Sequence, residues 1–406
     1  MNKRKIINDP VYGFITIPYE IIYDIIEHPY FQRLRRIQQL GLSNLVYPGA
    51  MHTRFNHALG AMHLMGKAIQ VLRQKGHEIT DHEAEAVTIA ILLHDIGHGP
   101  FSHALEKTII SQVHHEELSL LYMEKLNVAF GGRLNTALEI FTGTYQKKFL
   151  HQLVSGQLDV DRLDYLTRDS YFTGVHEGVI GYDRLIEMMD IVHDALVIEQ
   201  KGIYSVEKFI VARRVMYWQV YLHKTVICAE QMLIKALKRA KYLVKSGIEL
   251  FATPALKFFL QHDVTLRDFR ENPEHVQVYS VLDDTDIYVS LKQWQFSEDK
   301  VLAFLASCIV DRKLFRIELD NEQISASRIR EVEESIARRF GITDAFDLQY
   351  YVFNDVTTNS AYDQESDNIL IKMRNGEIMD VANASDYLNL RALSDTVVKH
   401  YIYTRK

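Results

Sequence analysis

Ile91-Leu92-Leu93-His94-Asp95-Ile96-Gly97-His98-Gly99-Pro100-Phe101-Ser102-His103 is the stretch whose reading decides the fold. Ahead of it, Glu83 to Leu93 has the pattern of a helix that is apolar on nearly every side from Ala86 onward, which places it in a core. Into that core the chain delivers an imidazole and a carboxylate side by side. A buried carboxylate without a partner costs several kcal/mol or takes up a proton, so Asp95 needs a cation. A divalent metal shared with His94 supplies one; a His-Asp hydrogen-bonded pair without metal is the plainer alternative. The glycines and Pro100 then stop the helix and leave both side chains beside a loop that a ligand can reach.

The chain around this stretch has 406 residues, 47% of them hydrophobic, so it can bury a large core in one or two domains. A net charge of -7 argues against a general nucleic-acid or membrane-surface binder, while a small anionic substrate stays possible where Lys and Arg concentrate. Cys228 and Cys308 sit in apolar helical surroundings and read as reduced core thiols. Neither the first ten residues nor any later run supplies the apolar stretch of a signal peptide or a membrane span, so a cytoplasmic location is expected.

Taken in order, Val11 to Ile17 reads as a short strand and Tyr19 to Ile26 as a helix. Phe31 to Leu40 reads as a helix with three arginines on a solvated face, stopped by Gly41. Arg54 to Arg73 is the next helix, with His57 in its first turn, and Thr80-Asp81-His82-Glu83 has capping-box spacing for the helix that ends at Asp95. Helices follow over Ser102 to Ile110 and His115 to Leu126. Ten of the 18 histidines lie between His52 and His115, which marks this region as the reaction centre. Further on, Asp161, Tyr165 and Arg168 or Asp169 share one side of a helix that also holds an Asp164-Arg168 pair at i,i+4. Taken alone, Asp161 reads equally as a metal ligand or as a charge complementing the helix N-terminus. Val206 to Lys245 reads as one long helical pattern with Arg213, Tyr217, Tyr221 and Lys224 on one side, which suits a nucleotide, although periodicity alone favours a snorkelling stripe along a core helix. Beyond Leu250 come further helices and then strands, including a hairpin turned at Asn375-Gly376. The expected architecture is mainly α, with residues 1–250 as the catalytic unit and 251–406 as a smaller helical, then α+β, subdomain for assembly or regulation.

His57, His94, Asp95 and Asp161 offer two imidazoles and two carboxylates, a donor set for iron, manganese or zinc rather than calcium. Such a metal lowers the pKa of bound water and polarises phosphorus, so hydrolysis of a phosphate ester or anhydride is the economical chemistry. His103 and Glu106, at i,i+3, form a candidate general-acid pair, and His98 and His115 are candidates for phosphate contact or proton transfer.

These residues carry a resemblance. His57, His94-Asp95 and Asp161 follow the H...HD...D pattern of the HD-domain phosphohydrolases. Asn8-Asp9-Pro10-Val11-Tyr12-Gly13, Phe31-Gln32-Arg33-Leu34-Arg35, Tyr47-Pro48-Gly49-Ala50, Arg54-Phe55-Asn56-His57, the stretch from His94 to His103, and Asp159-Val160-Asp161-Arg162-Leu163-Asp164-Tyr165 resemble one branch of them. That branch is the deoxynucleoside triphosphate (dNTP) triphosphohydrolases. The resemblance runs from about Lys5 to Lys245 and implies an HD-domain helical fold. It implies that water attacks the α-phosphorus and releases deoxynucleoside and triphosphate, with His103 protonating the 5'-oxygen and Glu106 standing where the family has aspartate. Arg54, Arg162 and Arg213 would bind phosphates, Arg162 replacing a lysine; Gln39 and Asp169 would hold the 3'-hydroxyl; Leu40, Tyr165 and Tyr221 would crowd the 2' position. Mg2+ or Mn2+ would accompany the nucleotide. The resemblance also implies a GTP, dGTP or other nucleotide effector at Lys5, Glu27, Gln32 and Arg35, and a homo-oligomer, dimer or tetramer. Other HD phosphohydrolase substrates (a nucleoside monophosphate, a cyclic nucleotide, an alarmone) and a non-catalytic nucleotide sensor are the alternatives.

Overall fold

The computed structural model describes residues 5–101, 105, 108–110, 113–359, 368–385 and 396–406. It is mainly helical, and its buried apolar side chains form one continuous core from Ile15 to Tyr403. Six helices frame the site: α1 (Arg54–Gln74), α2 (Asp81–Leu93), α3 (His115–Ala129), α4 (Val160–Thr173), α5 (Ile203–Met216) and α6 (Lys224–Lys245). α1 packs on both α2 and α4, so it is the shared wall on which the His and Asp residues of three helices meet.

Local chemistry sets the ends of these helices. Thr80 and Glu83 close a capping box at the start of α2, as their spacing predicts. Asp159 caps α4, its side chain accepting from the backbone of Arg162. α2 ends at Leu93, and the loop after it presses against α3 at Gly97, whose amide donates to Ser119 Oγ at 2.9 Å. A Cβ at Gly97 would stand 2.3 Å from both His115 O and Ser119 N, so only glycine lets the HD loop lie this close to α3.

Three expected elements differ. The N-terminal strand is a hairpin, Ile6–Asp9 with Gly13–Thr16, because the Asp9 side chain accepts from Val11 and Tyr12 N–H and turns the chain. The arginine helix is a short helix, Pro29–Gln32, followed by a 3-10 turn, Arg33–Arg36, and by extended Gln38, which bridges Thr53. Burial decides this: Arg33 is fully buried and donates to the carbonyls of Leu282, Ile96 and His98, which a regular helix facing solvent could not do. The long pattern after Val206 is two helices, α5 and α6, separated by a π-helical turn at Tyr217–Tyr221 in which Leu222 N–H bonds Tyr217 O at 2.7 Å.

Among the described residues the strands form three sheets. The hairpin Leu370–Lys372 with Ile378–Asp380 matches the Asn-Gly turn, and its first strand pairs in parallel with Ala195–Glu199, so the C-terminal part adds to a sheet begun before α5. The third sheet sets Val397–Thr404 between Arg316–Asp320 and Val352–Asn359. No helix among the described residues is long and apolar enough to cross a membrane. Cys228 and Cys308 are free and buried, and burial pushes the Cys228 thiol up to about 12.

Candidate active site

The site begins at His57 on α1. Its Nδ1 meets Asp164 Oδ2 at 2.7 Å, which turns Nε2 toward His94 and Asp161. His94, just past the end of α2, is fixed the same way, its Nδ1 lying 2.6 Å from Ile91 O. The two Nε2 atoms are 3.4 Å apart, and Asp161 Oδ1, from α4, is 3.0 Å from the first and 3.2 Å from the second. Two nitrogens and one carboxylate oxygen thus converge on one point, a donor set that fits a divalent transition metal. HD domains bind divalent metal, and this trio is one group among the described residues that could hold it.

The electrostatics agree with a cation at that point. Burial alone would depress His57, but the carboxylates of Asp161 and Asp164 push it up to about 10, so two carboxylates draw one positive charge onto the cluster. Burial works against the charged form of Asp161, and the imidazoles of His94 and His57 override it and hold the carboxyl well below its ordinary range.

Asp95 stands next to this trio rather than inside it. Its Oδ2 accepts from Arg54 Nη1 at 2.6 Å and lies 3.8 Å from His57 Nε2; its Oδ1 is 3.4 Å from His94 Nε2 and 3.3 Å from His98 Nε2. His98 in turn stacks on His115 at 3.7 Å, and Asp95, His98 and His115 form a second group of ligand-capable atoms. His103 and Glu106, the expected acid pair, lie outside the described residues, as does most of the helix expected over Ser102 to Ile110.

Beside the cluster opens a cavity of about 470 Å3, within the size range of small-molecule sites. Its lining includes Gln39, Leu40, Arg54, Tyr165, Asp169 and Tyr221, all expected substrate contacts. Arg54 is buried, and its Nε–H has no partner among the described residues. Asp169 is held from two sides: His52 Nε2 lies 2.7 Å from Oδ1, and Tyr221 OH donates to Oδ2 at 2.8 Å. The π-helical turn puts Tyr217 and Tyr221 edge to face, 5.1 Å apart, on one wall. Arg162 and Arg213 flank the site, the first bonded to Asp159 and the second 5.7 Å from the Tyr217 ring. Lys224, grouped with them by spacing, starts α6 after the break and does not line the cavity. The expected effector residues sit elsewhere, at the N-terminal surface: Lys5 over Tyr23 at 3.1 Å, Arg35 over Phe55 at 3.6 Å and bonded to Gln32, and Glu27 exposed at its helix end.

The support of His57 is set by the fold and not by spacing alone. Asp164 is gripped twice by Arg168, and Arg168 reaches Asp9 of the N-terminal hairpin at 2.8 Å, so a buried chain of charges runs from the metal ligand to the first strand. The i,i+4 spacing of Asp164 and Arg168 signalled the pair; its burial and its partner came only with the fold. His52 was likewise one histidine among ten until the fold set it against Asp169.

Comparison with known proteins agrees with this geometry. The signature described as the HD domain matches residues 54–169, and the one described as the HD associated region matches 180–250. A crystal structure of a phosphohydrolase from Bacteroides thetaiotaomicron is 53% identical, superposes with a TM-score of 0.96 and covers 100% of both chains. The uncharacterized protein YwfO of Bacillus subtilis is 33% identical over 95% of this chain and 88% of its own. Deoxynucleoside triphosphate triphosphohydrolase SAMHD1 of Homo sapiens is 31% identical over 61% of this chain and 46% of its own, so the chain spans about half the length of that relative. With the HD ligands converging in space, both signatures present in one chain, and a phosphohydrolase structure 53% identical over its whole length, the chain belongs to the HD-domain phosphohydrolase family.

Proposed function

We propose that the protein hydrolyses dNTPs to deoxynucleoside and inorganic triphosphate. The observation that carries this reading is the cavity beside the ligand trio, which combines a buried Arg54, a clamped Asp169 and a tyrosine wall. Arg54 couples the two regions, because one nitrogen bonds Asp95 and another is left to take a phosphate oxygen. Asp169, with both oxygens already oriented, suits acceptance of a 3'-hydroxyl, and Gln39 lies in the same lining. Leu40, Tyr165 and Tyr221 fill the neighbouring space with apolar surface that disfavours a 2'-hydroxyl. The relatives named as dNTP triphosphohydrolases support the same substrate.

His57, His94 and Asp161, with Asp95 adjoining, would hold iron, manganese or zinc, which supplies an activated water and polarises phosphate. On this reading Arg54, Arg162 and Arg213 bind and orient the triphosphate, accompanied by Mg2+ or Mn2+, while His98 and His115 contact its oxygens. Water attacks the α-phosphorus, the bond to the 5'-oxygen breaks, and that oxygen takes a proton from His103, oriented by Glu106. A GTP, dGTP or other nucleotide effector at Lys5, Glu27, Gln32 and Arg35, a dimeric or tetrameric assembly, and a cytoplasmic location belong to the same proposal, as does a division into residues 1–250 for chemistry and 251–406 for the C-terminal subdomain.

Anion-exchange analysis of products tests it, with purified protein, Mn2+ or Mg2+, each dNTP alone and then all four with GTP. Triphosphate and deoxynucleoside, absent with Asp161→Ala, are expected. Intact dNTPs in every mixture, from folded and metal-loaded protein, would sink the proposal and favour another phosphorylated substrate.

A further inference from the structure

The cavity does not end at the sugar slot. Ile227, Glu230 and Gln231, at i, i+3 and i+4 of α6, turn one face of that helix into its lining. Next to it runs the C-terminal strand Val352–Asn359, whose residues Asp355 to Thr358 also line the cavity. Among the described residues this strand pairs on one side alone, with Val397–Thr404, so it is an edge of its sheet. Gln231 Nε2 donates to Asp355 Oδ2 at 2.5 Å and ties helix to strand, while Asp355 Oδ1 accepts from Val356 N–H at 2.9 Å.

We infer that Asp355, held by Gln231, reads the base of the nucleotide and selects one that presents hydrogen-bond donors, guanine above the others. The inference rests on the triphosphohydrolase reading, because it assigns the base to the space beyond Asp169 and Tyr221. Arg54 marks the phosphate end of the cavity through its bond to Asp95, so the end built by α6 and the C-terminal strand is left for the base. The two bonds that fix Asp355 occupy one lone pair on each oxygen and leave the carboxylate able to accept more. Guanine offers N1–H and N2–H2 side by side, the pattern that a carboxylate takes bidentately. Thymine would set its carbonyl oxygens against the same charge, and Glu230 adds a second acid to this end. Tyr217 and Tyr221 supply ring surface against which the base packs.

One equimolar mixture of the four dNTPs, with consumption of each followed by anion exchange, measures the preference while meeting any effector requirement equally. The wild-type protein is expected to consume dGTP fastest, and Asp355→Asn to lower the ratio of dGTP to dTTP consumption by on the order of tenfold or more. Gln231→Met, which frees the carboxylate to turn away, should lower the ratio in the same sense and serves if the first variant does not fold. A ratio unchanged within about twofold in a folded variant, or dTTP consumed fastest by the wild type, overturns the inference. If the wild type consumes no dNTP, the hydrolase reading has failed, and calorimetry with dGTP and dTTP decides the base site separately. Tighter dGTP binding that Asp355→Asn abolishes then supports it; equal affinity, or none, overturns it.

Discussion

Asp164 touches neither cavity nor cluster centre, yet it determines which nitrogen of His57 faces the other ligands. Asp164→Asn keeps the size and loses the charge that Arg168 and His57 share, so bound metal is expected to fall about ten- to a hundredfold, read by elemental analysis after dialysis. Full metal occupancy in that variant would show that the imidazole orients without it. Gly60 makes the pair possible: a Cβ there would stand 2.0 Å from Asp164 Oδ1 and 2.2 Å from Arg168 Nη2. Both side chains are buried and locked, so Gly60→Ala should destabilise by about 1–3 kcal/mol in urea unfolding and weaken metal retention as well. An alanine variant as stable as the wild type would mean that α1 and α4 can part at little cost.

Short elements can fix a side chain closely where they are pinned from several sides. The 3-10 turn Arg33–Arg36 delivers one guanidinium whose nitrogens meet Leu282 O at 2.9 Å, Ile96 O at 3.3 Å and His98 O at 2.7 Å, while its Cζ lies 4.9 Å from the centre of the Tyr279 ring. It thereby ties the HD loop to the helices beyond Leu250. A lysine has one nitrogen and no planar fork, so Arg33→Lys leaves carbonyls buried without donors and should cost about 3 kcal/mol or more. The loss is expected in the urea midpoint and, because the loop carries Asp95 and His98, in turnover too. Unchanged turnover in a folded variant would show that the loop is held by Gly97 and Ser119 alone. In the same way the π-helical turn at Tyr217–Tyr221 earns its place by setting two rings on one wall of the cavity.

Across the full chain, Asp190 joins parts far apart in sequence. It meets His77 at the end of the α1 segment and Lys372 of the C-terminal hairpin at 2.6 Å. Burial opposes its charge, but the bonds from Lys372, His77 and the Ile191 amide hold the carboxyl down at about 2, against 3.8 for an ordinary aspartate. A folded-state value below the unfolded one stabilises above about pH 4 and is lost as the pH falls toward 2, a difference of about 2 kcal/mol. Urea midpoints between pH 5 and 2.5 should therefore fall less steeply in Asp190→Asn than in the wild type; parallel curves would remove this link. How much of this was legible beforehand follows from range. The HD stretch, the Thr80 capping box, the Asn375-Gly376 hairpin and the helical character of the first 250 residues depend on spacing along a few turns of chain, and spacing is what a sequence displays. The arginine turn, the break after Met216, the Asp164-Arg168-Asp9 chain and the place of the strand Val352–Asn359 in the cavity wall depend on what packs from far away. Burial decides whether an arginine is solvated or clamps carbonyls, and burial is a property of three dimensions: ligand types and helix ends were written in the order of residues, whereas orientation, partners and the shape of the cavity arose only when distant segments closed on one core.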